Sequence, residues 1–433
     1  MGLKHDYILC EASNRLGGRV RTNSHGVELG AEFIHGDNSL LSKLVDQLNI
    51  KKKLAFDVET GEGIQYYHNK KFLNHEDKVI QNLHNVIDSM LDESKLSTTN
   101  DMSCREYLEV NNMGPEVASL LDSRLMRTNG TNLDSQSILG HTLENESWTF
   151  GCRNYQLCKG HSMTQVMEHL SKPLQRVLLN QTIHTIDYTN EKHIVINDGF
   201  ITCDYVIVTV PISILHRRHE PYGIKFTPSL PQDTQYAIDH MLGMDSGMKV
   251  HLMYKKPIWH EQTTNKGKNL IFVSDHSNIA QIWFPGAHTT SDGLFIINGF
   301  TTGDKSSSAV KNQVSDHHII QEFRQLVSEM YNVPMHQDGF VKGKVFDWRR
   351  DCPTVFGAYS FSKVAKGRRW DAEHHPRNVL SKSVDNRIYF AGEGTSLHAY
   401  STIQGGLESG ERAAKQVLAD MQEKNVQPIK QKL

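Results

Sequence analysis

Residues 10–22 read CEASNRLGGRVRT, from Cys10 to Thr22, and this stretch decides the fold. An apolar run, Tyr7 to Cys10, leads into Glu11, the position where a βαβ nucleotide fold keeps a carboxylate for a ribose hydroxyl. In that fold a G-x-G-x-x-G turn after the first strand precedes the carboxylate by about 20 residues. Ten residues precede Glu11 here. The expectation is therefore an α/β nucleotide domain, N-terminally truncated and entered at its second strand. Met1 to Asp6 read as the end of a preceding helix and its turn, as though Met1 were an internal methionine.

At 433 residues the chain is long enough for two or three domains with real cores. Its 38% hydrophobic and 22% charged residues are ordinary for a globular protein. With 47 basic and 49 acidic residues, the net charge of -2 gives no global attraction to nucleic acid or to a membrane surface. The N-terminus carries neither a signal-peptide core nor an Arg-rich presequence, and no apolar run approaches the length of a membrane span. Met1-Gly2 is followed by Asp6 where a myristoylation signal has Ser or Thr. A soluble, cytoplasmic protein is expected. The six cysteines, at 10, 104, 152, 158, 203 and 352, have no C-x-x-C spacing, so neither a disulfide framework nor a metal site is expected.

Downstream of the Gly17-Gly18-Arg19 turn lies HGVELGAEFIHG, His25 to Gly36, whose Gly30 and Gly36 suggest backbone pressed against a neighbour. Val79, Ile80, Leu83, Val86, Ile87, Met90 and Leu91 recur at helical spacing and open a helix-rich insertion reaching about Phe150. Alternation from Val177 to Pro211 predicts strands. Four closely spaced apolar runs between Lys249 and Phe300 predict an antiparallel sheet. The pairs His317-His318 and His374-His375 lack metal spacing and are expected at the surface.

The block RIYFAGEGTSLHAYSTIQGGLESGERAA, Arg387 to Ala414, reads as a buried strand, a glycine turn bearing Glu393, and a helix starting near Thr402. Such a helix start offers unpaired N–H groups and the positive end of a dipole to an anionic group. A tight turn with glycines for packing explains the same pattern without a ligand.

Taken together, these blocks resemble the flavin-containing amine oxidases, which include monoamine oxidases, polyamine oxidases and flavin histone demethylases. The motifs stand in the family's order: E-A-x-x-R-x-G-G-R-x-x-T from Glu11, V-E-L-G-A-E-F-I-H-G from Val27, V-T-V-P from Val208, G-M-K-V from Gly247, G-A-Y-S from Gly357, F-A-G-E-G-T from Phe390 and G-G-L-E-S-G-E-R-A-A from Gly405. The resemblance implies noncovalent FAD. Glu11 would take the adenosine ribose, and Arg15, Gly17, Gly18 and Arg19 the diphosphate. Gly30, Ala31, Glu32 and Phe33 would line the isoalloxazine, Ile183 would offer backbone to adenine, and Glu393, Thr402 and Ile403 would reach the ribityl chain and pyrimidine edge.

By the same resemblance the catalytic residues are Lys249, His35 and Tyr359. Lys249 matches the lysine that reaches flavin N5 through a water; burial lowers an amine's pKa and suits it to relay a proton. His35 matches the histidine that faces the amine in polyamine oxidases. Tyr359 matches one wall of an aromatic cage, whose ring face attracts a cation. Ala358 stands where monoamine oxidases carry the cysteine bonded to flavin, and Thr402 stands where they have the second tyrosine. A linear polyamine therefore fits better than a small aromatic monoamine. Glu32, Asp134, Glu144 and Glu146 are candidates for its remote charges.

The expected architecture is α/β: an FAD-binding Rossmann-like domain of the GR2 type, N-terminally truncated, in segments 1–55, 151–240 and 371–425. Inserted into it are a helical segment, 56–150, and an α+β substrate domain with an antiparallel sheet, 241–370; 426–433 is a tail. The expected reaction is FAD-dependent oxidation of an amine by O2 to an aldehyde, a smaller amine and hydrogen peroxide. The alternatives are a flavin-free inactive remnant acting as a binding protein and an L-amino-acid oxidase.

Overall fold

The computed structural model describes residues 7–92, 100–259, 268–276, 278–285, 289–368 and 370–426. The expectations for residues 1–6 and for most of the tail fall outside these residues. Strand Leu9–Cys10 pairs in parallel with Val177–Leu178, and Val206–Val208 pairs in parallel with Ile388–Phe390. These β-rich, glycine-bounded runs are the parallel strands expected of the nucleotide domain. A four-stranded sheet beside them runs Ile201–Cys203, Ile194–Ile196, Thr185–Asp187, Lys225–Thr227. Leu29, Ile186, Ile194, Phe226, Ile388 and Phe390 close into one buried cluster there.

The 24-residue helix Ile403–Val426 follows the Gly392 turn. Arg412 on this helix donates Nη2 to the Phe390 carbonyl at 2.8 Å and to Thr395 Oγ1 at 2.9 Å, tying the helix to the strand and turn it follows.

The second layer is a seven-stranded sheet in the order Phe340–Asp347, Gly247–Tyr254, Phe295–Thr302, Gln281–Trp283, Leu270–Val273, Ile64–His68, Lys71–Leu73. Alternation along its strands feeds two cores. Ile271 and Val273 join Val250, Leu252, Phe323 and Val327 under the helix Asp316–Tyr331. Leu270 and Phe272 join Ile80, Leu83, Val86 and Met90 of the helix Lys78–Met90. The same alternation sends Lys249 and His251 away from the first of these cores.

The segment 56–150 is not only helical. Its runs Ile64–His68 and Lys71–Leu73 form a hairpin whose first strand pairs in parallel with Leu270–Val273, so the seven-stranded sheet is mixed at that end. The Gly61 and Gly63 turn, both at positive φ, supplied the signal; helical periodicity just downstream masked it. Among the described residues no helix is long and apolar enough to cross a membrane.

Candidate active site

The diphosphate end is a turn braced from within. Gly17 and Gly18 adopt φ of 99° and 53°, conformations that cost a side-chain-bearing residue. Arg15 spends its guanidinium on this turn, donating Nη1 to the Leu16 and Val20 carbonyls at 2.9 Å each and Nη2 to Gly18 O. Arg19 points the other way, donating Nη1 to Glu393 Oε1 at 2.8 Å and to the Ala358 carbonyl at 2.9 Å. Glu393 also accepts from Ser360 Oγ at 2.6 Å. Burial works against its charge, but Arg19, Arg377 and the Ser360 hydroxyl hold its carboxyl below the usual carboxylate range. At the other end, the Glu11 carbonyl accepts from Gln181 N at 2.9 Å. Glu11 thus lies beside the loop that carries Ile183.

A narrow cleft of about 10 Å³ is walled by Arg19, Val210 to Ile212, Leu215 and Phe390 to Thr395, among them Arg19 and Glu393, the residues expected at the diphosphate and ribityl chain. One observation fits FAD to this chain. At the start of the long helix, Thr402 Oγ1 caps Gly405 N at 3.1 Å, and Gln404 is sealed from solvent. The Gln404 side chain donates Nε2 to the His35 carbonyl at 2.9 Å, while its Oε1 is buried with no donor. A bound group with an N–H would satisfy it.

Gly30 lets two segments touch: a Cβ there would lie 1.8 Å from the Arg19 carbonyl and 2.7 Å from the Trp348 ring. Beneath it, Lys249 Nζ donates to the Gly30 carbonyl at 2.7 Å, the Glu28 carbonyl at 3.1 Å and Glu32 Oε2 at 2.9 Å. Its three N–H bonds have three acceptors. Glu32 accepts as well from Gln156 Nε2 at 2.9 Å and Trp283 Nε1 at 3.0 Å. Glu32 is therefore the partner of Lys249 and not a free carboxylate for a polyamine. Asp134 and Glu144 are likewise occupied, by Arg105 and by Arg377.

His35 stands at the end of strand Ile34–His35, paired with Arg153–Leu157. Its Nδ1 lies 2.6 Å from Asn154 Oδ1, and the Asn154 amide nitrogen donates to the Cys152 carbonyl at 2.9 Å, which fixes the amide's orientation. An amide oxygen only accepts, so Nδ1 carries the proton and Nε2 presents a lone pair. Burial lowers the His35 pKa against a smaller opposing effect of the Asn154 bond.

Rings surround this imidazole: Phe33 at 6.2 Å and Trp148 at 6.3 Å between centroids, with Tyr400 6.0 Å from Trp148. Trp148, Tyr400, Asn154 and Gln404 were missed from sequence. Trp148 belongs to the insertion, and Tyr400 lies two residues before the expected cage position. Tyr359 donates its hydroxyl to the Thr128 carbonyl at 2.9 Å and packs its ring on Gly130. His375, expected at the surface, is fully buried between Glu144 and Ser362, because its ring caps the helix Pro376–Ser381.

Residues 1–418 match the flavin containing amine oxidoreductase family, and the chain belongs to it. The members of that family are amine oxidoreductases that contain a flavin, which implies FAD as the cofactor. It is similar to a lysine-specific histone demethylase 1B homolog of Caenorhabditis elegans, 24% identical, with 97% of this chain and 54% of the relative covered. It is also similar to polyamine oxidase 3 of Oryza sativa subsp. japonica, 24% identical, with 95% of this chain and 84% of the relative covered. The chain spans about half, or less, of the length of the demethylases it matches. Among solved structures, cyclohexylamine oxidase from Brevibacterium oxydans superposes with a TM-score of 0.76 over 96% of this chain and 94% of the other at 15% identity, a likeness of fold.

Proposed function

We propose that this chain is a cytoplasmic polyamine oxidase, converting a linear polyamine, O2 and water to an aldehyde, a smaller amine and hydrogen peroxide. FAD, when bound, supplies the acceptor for the hydride and passes the electrons to oxygen. Arg19, Glu393, Gln404 and the helix start at Ile403 would hold it, with Glu11 and the Ile183 loop at the adenosine end. The absence of a cysteine at Ala358 supports noncovalent binding.

The observation that carries the proposal is His35: an imidazole with Nδ1 committed to Asn154, Nε2 open, and aromatic rings on its flanks. Amines reach the site as ammonium ions and react as free amines. The Nε2 lone pair takes that proton, and its lowered pKa keeps it a base at neutral pH. The ring faces of Phe33, Trp148 and Tyr400 draw the cation in and exclude water from it. Thr402, in place of a second caging tyrosine, leaves room for a chain that continues past the reacting carbon. The similarity to polyamine oxidase 3 of Oryza sativa over 84% of that relative supports an amine substrate.

The test is peroxide release from the FAD-loaded protein offered spermine, spermidine, their acetylated forms, benzylamine and L-amino acids. Preferential turnover of the linear polyamines is expected. Turnover of amino acids alone, or of none of these by a protein that holds its flavin, overturns the proposal.

A further inference from the structure

We infer that Glu32 is a positioning residue: it pins Lys249 as an ammonium under Gly30 and so sets the charge that the strand Gly247–Tyr254 presents to the reaction site. This rests on the amine-oxidation proposal for the meaning of the site, but the pair itself is a property of the polypeptide.

Lys249 and Glu32 are both sealed from water, at 4% and 7% exposure. A buried ammonium needs an anion and a full set of acceptors. Of the three acceptors on Nζ, two are neutral carbonyls, of Glu28 and Gly30, and one is the Glu32 carboxylate at 2.9 Å. Around the pair, the Glu28 carboxylate faces Thr22 Oγ1 and Met163 N, each at 2.8 Å, and burial raises its pKa to about 7. His251, two residues along the strand, is kept neutral by burial and by Lys249. Lys344, on the strand Phe340–Asp347, adds a second positive charge near His251.

Strand Phe295–Thr302 contributes the neutral Asn298, and strand Gln281–Trp283 the indole of Trp283, whose ring lies 5.0 Å from Nζ. Glu32 is thus the anion bonded directly to Nζ. It also holds Trp283, Gln156 and Asn298 in place as donors, so its own lone pairs are filled. A carboxylate in this state does not reach for substrate. With all three N–H bonds of Nζ engaged and no lone pair available, Lys249 acts by charge and position until a proton is taken from it.

Two measurements separate this from its rivals. In urea unfolding of the purified protein, Lys249→Met and Glu32→Gln each lower the folding equilibrium constant, and the double variant loses about tenfold less than the product of the single losses; additive losses overturn the pairing. In the FAD-loaded protein, Glu32→Gln lowers kcat and changes the shape of its pH profile, while Glu32→Asp restores most of both. A raised KM for polyamines with an unmoved pH profile makes Glu32 a substrate-gripping group and overturns the proposal. If no amine is oxidised by the parent protein, the functional proposal fails, and the unfolding cycle still decides the pair.

Discussion

Arg377 Nε donates to Glu144 Oε1 at 2.6 Å, with both side chains closed off from solvent. Glu144 belongs to the helix Ile138–Glu146, and Arg377 to Pro376–Ser381. The rest of the guanidinium bonds Ser360 Oγ at 2.6 Å, the Ser360 carbonyl at 3.1 Å and the Glu393 carbonyl at 3.2 Å. One arginine therefore joins the helices Ile138–Glu146 and Pro376–Ser381, the strand Ser360–Ser362 and the turn at Glu393. Burial opposes the Glu144 charge, but Arg377, with His141 and His375, brings its pKa down to about 2.

Removing one partner strands the other as a buried charge, which costs about 3–5 kcal/mol. Arg377→Met is expected to lower stability by that amount and to release FAD during purification, read as the ratio of flavin to protein absorbance. Arg377→Lys fails similarly, because one ammonium cannot serve four planar acceptors. The double variant Arg377→Met, Glu144→Leu is milder than either single change. Full flavin retention in Arg377→Met would refute the link to Glu393.

Glycines of one chain are expected to respond in opposite ways. Gly30→Ala forces a Cβ within 1.8 Å of a backbone carbonyl and should yield misfolded, flavin-free protein. Gly410 lies within the helix Ile403–Val426 with nothing within 4 Å of a Cβ. Gly410→Ala should raise stability by up to about 1 kcal/mol, measured by thermal melting.

The paired parallel strands, the long C-terminal helix and the strands of the seven-stranded sheet were legible because each rests on local pattern: apolar runs, alternation, glycine turns and a capped start. What was not legible depended on distance in sequence. Trp148 approaches His35 from 113 residues away, and nothing near Ser147 or Thr149 marks it. Glu32 was recognisable as a carboxylate in a motif, but its commitment to Lys249 requires the 217-residue separation to close. His375 looked like a surface histidine because its partner, Glu144, lies on another element.

Buried histidines make the protein sensitive to acid. Burial takes His251 to about 3 and His375 to about 4, from an ordinary 6.5. Because the folded values are depressed, the unfolded chain binds these protons first as pH falls below 6.5, and stability drops with it. Each such histidine contributes a slope of about 1.4 kcal/mol per pH unit over its window. Denaturant melts at pH 7 and pH 5 should show this loss. His251→Leu should reduce the slope by about one proton; an unchanged slope would show that His251 does not contribute.

Asn154 offers the sharpest test of His35. An amide oxygen at 2.6 Å from Nδ1 fixes one tautomer and adds no negative charge. Burial then dominates and keeps the imidazole pKa below its ordinary value. In the active enzyme the acid limb of kcat/KM should accordingly lie below pH 6.5. Asn154→Asp keeps the geometry and adds a carboxylate, which favours the imidazolium and raises its pKa by about 1–2 units. The acid limb should move up, with kcat/KM falling on its acid side while the high-pH plateau is kept. Asn154→Leu removes the orienting bond and should lower the plateau itself. His35→Asn should abolish the acid limb altogether. If that limb persists in His35→Asn, the proton acceptor for the amine is another group.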